Sequence, residues 1–138
     1  FKTIPLFVEG NTPQSFKMVE DLASELSDTV YPLDSAKRKK LHLAAVFANN
    51  FTNHCCTLAY HLLEKNGIAP TVLLPIIDET AQKLHHLSPT EAQTGPAKRW
   101  DEKVMNEQLR ELADEAELQE IYRLMSQSIH QHSHSEHD

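Results

Sequence analysis

The amino-acid sequence predicts a mainly α-helical fold, a helical bundle with a small β-α-β unit at its N-terminus. Three observations predict it. Only three glycines occur in 138 residues, too few for a turn-rich all-β architecture. Strand-like runs are confined to the first 33 residues. From Ser35 onward the apolar residues recur at helical spacing.

The first element is a strand in "TIPLFVEG", Thr3–Gly10. Thr12 then offers a side-chain oxygen as helix cap, and Pro13 suits a first helical position. The helix that follows carries Phe16, Val19, Leu22, Ala23 and Leu26 on one face. "TVYPL", Thr29–Leu33, reads as a second strand, and the helical crossover between the two allows a parallel pair. Parallel strands are normally covered on both faces. The pair is therefore expected to be the edge of a sheet whose other strands lie in a missing N-terminal part, the chain being a fragment or a proteolysed product.

A long helix is expected from Ser35 to Asn66, stopped by Gly67. A second spans about Pro70–Leu87, with Pro75 a candidate kink. A loop, "SPTEAQTGPAKRW", follows. Asp101 can cap a third helix to about Leu112, and a fourth covers about Glu115–Ile129. The polar tail from His130, rich in histidine, is expected to be disordered and dispensable. The domain reading is thus a β-α-β unit at 1–34, a helical domain at 35–129 and a tail at 130–138.

Composition narrows function. With 40% hydrophobic residues the chain can bury a core. A net charge of −7 gives no basic face for nucleic acid. The one basic cluster, Ala36–Lys40, fits a solvated first helical turn better. No apolar run reaches the ~20 residues of a membrane span, and no signal-peptide pattern opens the chain. The adjacent Cys55 and Cys56 read as buried thiols of a cytoplasmic protein.

The long helix is expected to show three stripes. Leu41, Ala44, Ala48, Phe51, Cys55, Leu58 and Leu62 form a 3-4 seam for an intramolecular core or a subunit interface. His42, Val46, Asn49, Asn53, Cys56 and Tyr60 form a second. Phe47, Asn50, His54, Thr57 and His61 form a third. No Lys, Arg, Asp or Glu lies between Lys40 and Glu64. The polar groups therefore face a cleft, another subunit or a ligand, or else serve as satisfied amides between helices. Metal binding is not expected. His54 and His61 are seven apart and His85 and His86 point apart, spacings that do not converge on one ion.

"LHLAAVFANNF" at Leu41–Phe51, "LLPIIDET" at Leu73–Thr80 and "PTEAQTGPAKRWD" at Pro89–Asp101 together resemble a known family. It is the C-terminal helical domain, long classed as of unknown function, of Rossmann-like NAD(P)-dependent oxidoreductases similar to pyrroline-5-carboxylate reductase. Its helical part resembles the 6-phosphogluconate dehydrogenase C-terminal-like superfamily. The resemblance covers about Ile4 to Ile129. It implies that His42 and Asn50 are catalytic and that the Thr-Gly-Pro loop falls on Thr94, Gly95 and Pro96, followed by Arg99 and Asp101. The family usually has glycine where this chain has Trp100.

The resemblance implies hydride transfer to or from a small carbonyl, imine or hydroxyl substrate, with NADP or NAD as cofactor of the full-length protein. This fragment has no G-x-G-x-x-G, so it is expected to bind no dinucleotide and to be inactive alone. Asn49, Asn53 and His54 would line the substrate cleft beside the two catalytic groups. Thr94 and Gly95 would offer a hydroxyl and a backbone N–H, and Arg99 a two-point contact for a carboxylate. The competing role for Arg99 is an ion pair with Asp101 or Glu102. The expected partners are a second copy of the chain and a small molecule, with no nucleic acid and no membrane. The alternative to an oxidoreductase domain is a non-catalytic helical scaffold.

Overall fold

The computed structural model describes residues 2–134. It divides into two compact units, 1–57 and 58–138.

In the first unit, β1 (Leu6–Val8) and β2 (Val30–Pro32) pair in parallel, Leu6 opposite Val30 and Phe7 opposite Tyr31. The Phe7 and Tyr31 rings stack at 5.8 Å on one face of this ribbon. Between the strands runs α1 (Pro13–Leu26). Thr12 and Ser15 form a reciprocal capping box at its start. Ser27 ends it and is buried. Its hydroxyl donates to the Ile4 carbonyl at 2.6 Å and accepts from the Thr29 N–H at 3.1 Å, tying the two strand entries together.

Asp34 caps α2 (Ser35–Ala45) through the Lys37 N–H. Glu9 holds that helix start to the end of β1. Its carboxylate accepts from the Ser35 N–H at 2.8 Å, from the Ser35 hydroxyl at 2.6 Å and from Arg38. The Ser35 hydroxyl bond first, then the Ser35 N–H and the Arg38 charge, hold the Glu9 carboxyl below its ordinary acidity range.

After α2 the chain runs through a π-helical segment, Val46–Phe51, into α3 (Thr52–Lys65). One long helix is thus present as expected, but not as a uniform one. Each residue turns about 100° in an α-helix and roughly 80° in a π-helix, so six residues accumulate a lag of roughly a third of a turn. This overturns the expected stripes. Leu41, Ala44 and Ala48 no longer share a face with Phe51 and Cys55. The cysteines also differ from expectation: Cys55 is exposed and Cys56 half-buried.

In the second unit α3 ends as predicted. Gly67 has φ 69°, the Ile68 N–H reaches the Leu63 carbonyl and the Gly67 N–H reaches the Glu64 carbonyl. That left-handed residue costs glycine nothing. Pro70–Leu73 form a single 3-10 turn before α4 (Leu74–Lys83). Pro75 lies in the first turn of α4, where its missing N–H is no loss, so it starts a helix rather than kinking one.

The expected loop at 88–100 contains two short helices, α5 (Pro89–Ala92) and α6 (Pro96–Arg99). Asp101 caps α7 (Glu102–Glu111), accepting from the Val104 N–H at 3.2 Å. The last helix, α8 (Ala116–His134), runs past Ile129. The tail expected to be disordered from His130 is helical through His134; residues 135–138 lie outside the described ones. The core of this unit sits where α6, α7 and α8 meet, with Ala97, Met105, Leu112 and Leu118 buried. Polar ties complete it. Gln119 Nε2 donates to the Leu109 carbonyl at 2.6 Å, Lys98 Nζ to the Gln93 carbonyl at 2.9 Å, and Lys65 Nζ to Glu115 at 2.7 Å.

Candidate functional site

The π segment is the local irregularity on which the polar residues gather. In an α-helix the Thr52 N–H would bond four residues back. Here the Thr52 hydroxyl donates to the Phe47 carbonyl, five residues back, at 3.3 Å, and so helps satisfy a carbonyl inside the widened turn. Such turns recur at functional sites because the residue they add re-aims side chains.

The re-aiming can be followed residue by residue. Through α2 and the π segment, His42, Val46 and Asn50 fall on one edge, and His54 continues it into α3. A uniform helix would have set His42 on a different stripe from Asn50 and His54. The two residues expected to be catalytic thus share an edge with His54. Asn49 and Asn53 share the neighbouring edge with Leu41. Asn49 Nδ2 donates to Asn50 Oδ1 at 3.4 Å, linking the two edges. All five polar side chains are exposed. Among the described residues, none of their side chains bonds another element.

Thr94, Gly95 and Arg99 belong to the second unit. Ser88 and Glu91 make a capping box that starts α5, and after its C-cap Gln93 the chain turns through Gln93–Gly95. Gln93 Nε2 donates to the Thr94 carbonyl at 2.8 Å. Gly95 has φ 104°, a value side-chain-bearing residues avoid, so the Thr-Gly-Pro sequence is a backbone requirement of this turn. Thr94 lies at the rim of a groove of about 530 Å³ whose walls include Ile76, Thr80, Leu84 and Pro89. Lys83 lines the groove too, but it is paired with Glu79 at 2.7 Å. Arg99 is exposed in the last turn of α6 and, among the described residues, makes no ion pair, so the alternative pairing with Asp101 or Glu102 is absent there.

Trp100, where glycine was expected, adopts a left-handed conformation with φ 53°. That geometry explains the family glycine: the position ends α6 with positive φ. Tryptophan pays a backbone cost there, of order 1 kcal/mol. It is offset by two contacts. The indole packs on the His130 ring at 4.6 Å, and Nε1 donates to Glu102 at 3.2 Å. The Trp100 side chain therefore lies over α8 rather than beside Arg99. The sequence carried no signal for the π segment, nor for the pairing of Trp100 with a residue thirty positions on. No group of three or more potential metal ligands converges among the described residues, and no described helix is long and apolar enough to cross a membrane.

A family described as "Domain of unknown function (DUF2520)" matches residues 4–129. Among solved structures, the chain is similar to a "putative NADP oxidoreductase" from Bacteroides fragilis, with 51% identity and a TM-score of 0.91 over 95% of this chain and 51% of that one. It is also similar to protein TM1727 from Thermotoga maritima, with 26% identity and a TM-score of 0.76 over 91% of this chain and 52% of that one. The chain spans about half the length of each. No curated protein matches it.

Proposed function

The chain belongs to the DUF2520 family, and from that membership we propose that it is the substrate-binding and dimerisation domain of an NAD(P)-dependent oxidoreductase. The single observation that carries the reading is the similarity, at 51% identity over nearly the whole chain, to the Bacteroides protein whose description names an NADP oxidoreductase. On this reading the domain is akin to those of the pyrroline-5-carboxylate reductase-like enzymes and the 6-phosphogluconate dehydrogenase C-terminal-like superfamily. It works in the cytoplasm on a small carbonyl, imine or hydroxyl compound, and NADP is the favoured cofactor of the longer protein.

A bound nicotinamide would supply the hydride chemistry. The cradle for its phosphates is not among these residues, since Gly10, Gly67 and Gly95 are the only glycines and form no phosphate loop. What this chain contributes is the substrate side. Asn50 donates a hydrogen bond to the substrate heteroatom, and His42 on the same edge gives or takes the proton that accompanies reduction or oxidation. Amide and imidazole suit an uncharged carbonyl or imine because neither imposes a fixed charge. His54, Asn49 and Asn53 orient the remainder of the substrate. Taken by themselves in the second unit, Thr94, the Gly95 N–H and Arg99 offer donors suited to a polar or carboxylate group.

The scaffold alternative has the asparagines joining helices, and their exposure weighs against it within this chain. The test is made on the longer protein. Calorimetry should show NADPH binding by the longer chain and none by these 138 residues, and Asn50→Leu should lower NADPH-dependent turnover by about 100-fold with binding of the cofactor unchanged. A longer chain that binds no dinucleotide would overturn the reading.

A further inference from the structure

A half-buried cation in the second unit has no acid to answer it. Lys98 lies in α6, and among the described residues its ammonium meets no carboxylate. Its partners are main-chain oxygens. Nζ donates to the Gln93 carbonyl at 2.9 Å and to the Thr90 carbonyl at 3.4 Å. Lysine is almost never buried unless it is paired, so these carbonyls are what hold it there. They belong to α5 and its C-cap, and closing that short helix is the plain structural use of the side chain.

The contact reaches further than α5. The Gln93 carbonyl shares a peptide plane with the Thr94 N–H. A trans peptide sets these two groups in opposite directions, so holding the carbonyl also aims the N–H. The next plane is held in the same way. Gln93 Nε2 donates to the Thr94 carbonyl at 2.8 Å, which fixes the direction of the Gly95 N–H. Both peptide planes that flank Thr94 are thus pinned by side chains. Among the described residues, neither the Thr94 nor the Gly95 N–H has an acceptor. A cation on a carbonyl also draws charge through the peptide and makes its N–H the stronger donor.

We propose that Lys98 is a positioning residue for an anion: from behind the Thr94–Gly95 turn it holds the Gln93–Thr94 peptide and strengthens the Thr94 N–H toward a substrate carboxylate. This role rests on the substrate-binding reading above and narrows the substrate to one that bears a carboxylate. Lys98 acts through the peptide rather than on the ligand, because its ammonium lies on the carbonyl side of the plane and the N–H on the other. Capping α5 asks only for donors, whereas holding an anion asks for the charge as well.

The experiment follows the backbone amides of the 138-residue chain by NMR during titration with sodium acetate at constant ionic strength, with acetamide as the neutral control. Acetate should move the Thr94 and Gly95 resonances along a saturating curve, and acetamide should not. Lys98→Met and Lys98→Gln both remove the charge, and Lys98→Gln keeps an amide donor. Each should weaken acetate binding about tenfold with helical circular dichroism retained, the scale of one unit charge near a protein surface. If Lys98→Met fails to fold, Lys98→Gln decides. Lys98→Arg keeps charge and donors and should restore most of the affinity. Charge-free variants that bind acetate as the parent does, or a Lys98→Arg no better than they are, overturn the role of Lys98 and leave the substrate-binding reading standing. Thr94 and Gly95 resonances that ignore acetate in the parent chain overturn the carboxylate with it. The oxidoreductase reading is decided separately, by the dinucleotide calorimetry above.

Discussion

The helical stretch from Leu41 to Thr57 and the meeting point of α6, α7 and α8 use apolar residues in opposite ways. The second buries them: Ala97, Met105, Leu112 and Leu118 are all covered by neighbouring helices of the same unit. The first displays them, with Leu43, Phe47 and Phe51 open and no residue of α2 or the π segment buried. Their sequence patterns look alike, since both repeat at helical spacing. Periodicity states that a face needs covering, but not whether the cover is the same chain. What separates the two regions is the polar part. The α6–α8 helices interleave acids and bases with their apolar face, whereas between Lys40 and Glu64 the long helix interleaves amides, imidazoles and hydroxyls, with no Lys, Arg, Asp or Glu. One region is covered by its own unit and the other is left open.

The largest break in this comparison should come from the folded side. Leu118→Ala removes a buried side chain from the α8 contact and is expected to cost about 2–4 kcal/mol in urea unfolding. A cost below about 1 kcal/mol would mean that the α6–α8 centre is no core.

A smaller effect is expected at the end of α8. Removing residues 130–138 takes away the His130 ring on which Trp100 packs and the last helical turn. The left-handed Trp100 then keeps its backbone cost without that cover. A loss of about 1–2 kcal/mol, a fall of a few degrees in Tm, should follow, and Trp100→Gly in the truncated chain should recover part of it. An unchanged Tm on truncation would show the contact to be idle.

Smaller still is the acid response at Glu9, which joins β1 to the start of α2. Its folded pKa is depressed, so its contribution is present above the ordinary value of 4.5 and is lost as pH falls through the lower folded value. Glu9→Gln should therefore flatten the stability profile below about pH 4.5, read by thermal melts across pH, and leave its shape above that unchanged. An identical acid limb in the variant would refute the linkage.

Local chemistry was legible in the chain, and departures from regularity were not. Thr12, Asp101 and Gly67 act as the caps their side chains or lack of one predict, because capping is decided within four residues. The parallel pairing of β1 and β2 followed from the helix between them. The π segment was hidden because a widened turn has no composition of its own. That single feature moved His42 onto the edge of Asn50 and His54 and broke the expected 3-4 seam. The extension of α8 was hidden because the packing of His130 against Trp100 comes from a residue thirty positions away. Which candidate residues are exposed could not be read from types alone, since amides and imidazoles serve cores and clefts alike.

On the function proposed above, the polar edge of the long helix is kept for chemistry and not for folding. Thermal unfolding of Asn50→Leu in the 138-residue chain tests it without any substrate. Asn50 is exposed, and among the described residues its side chain bonds only Asn49, at 3.4 Å. The predicted change is within about 0.5 kcal/mol, the range of surface substitutions. A loss above about 2 kcal/mol, the scale of a stranded buried partner, would make the amide structural and contradict the claim.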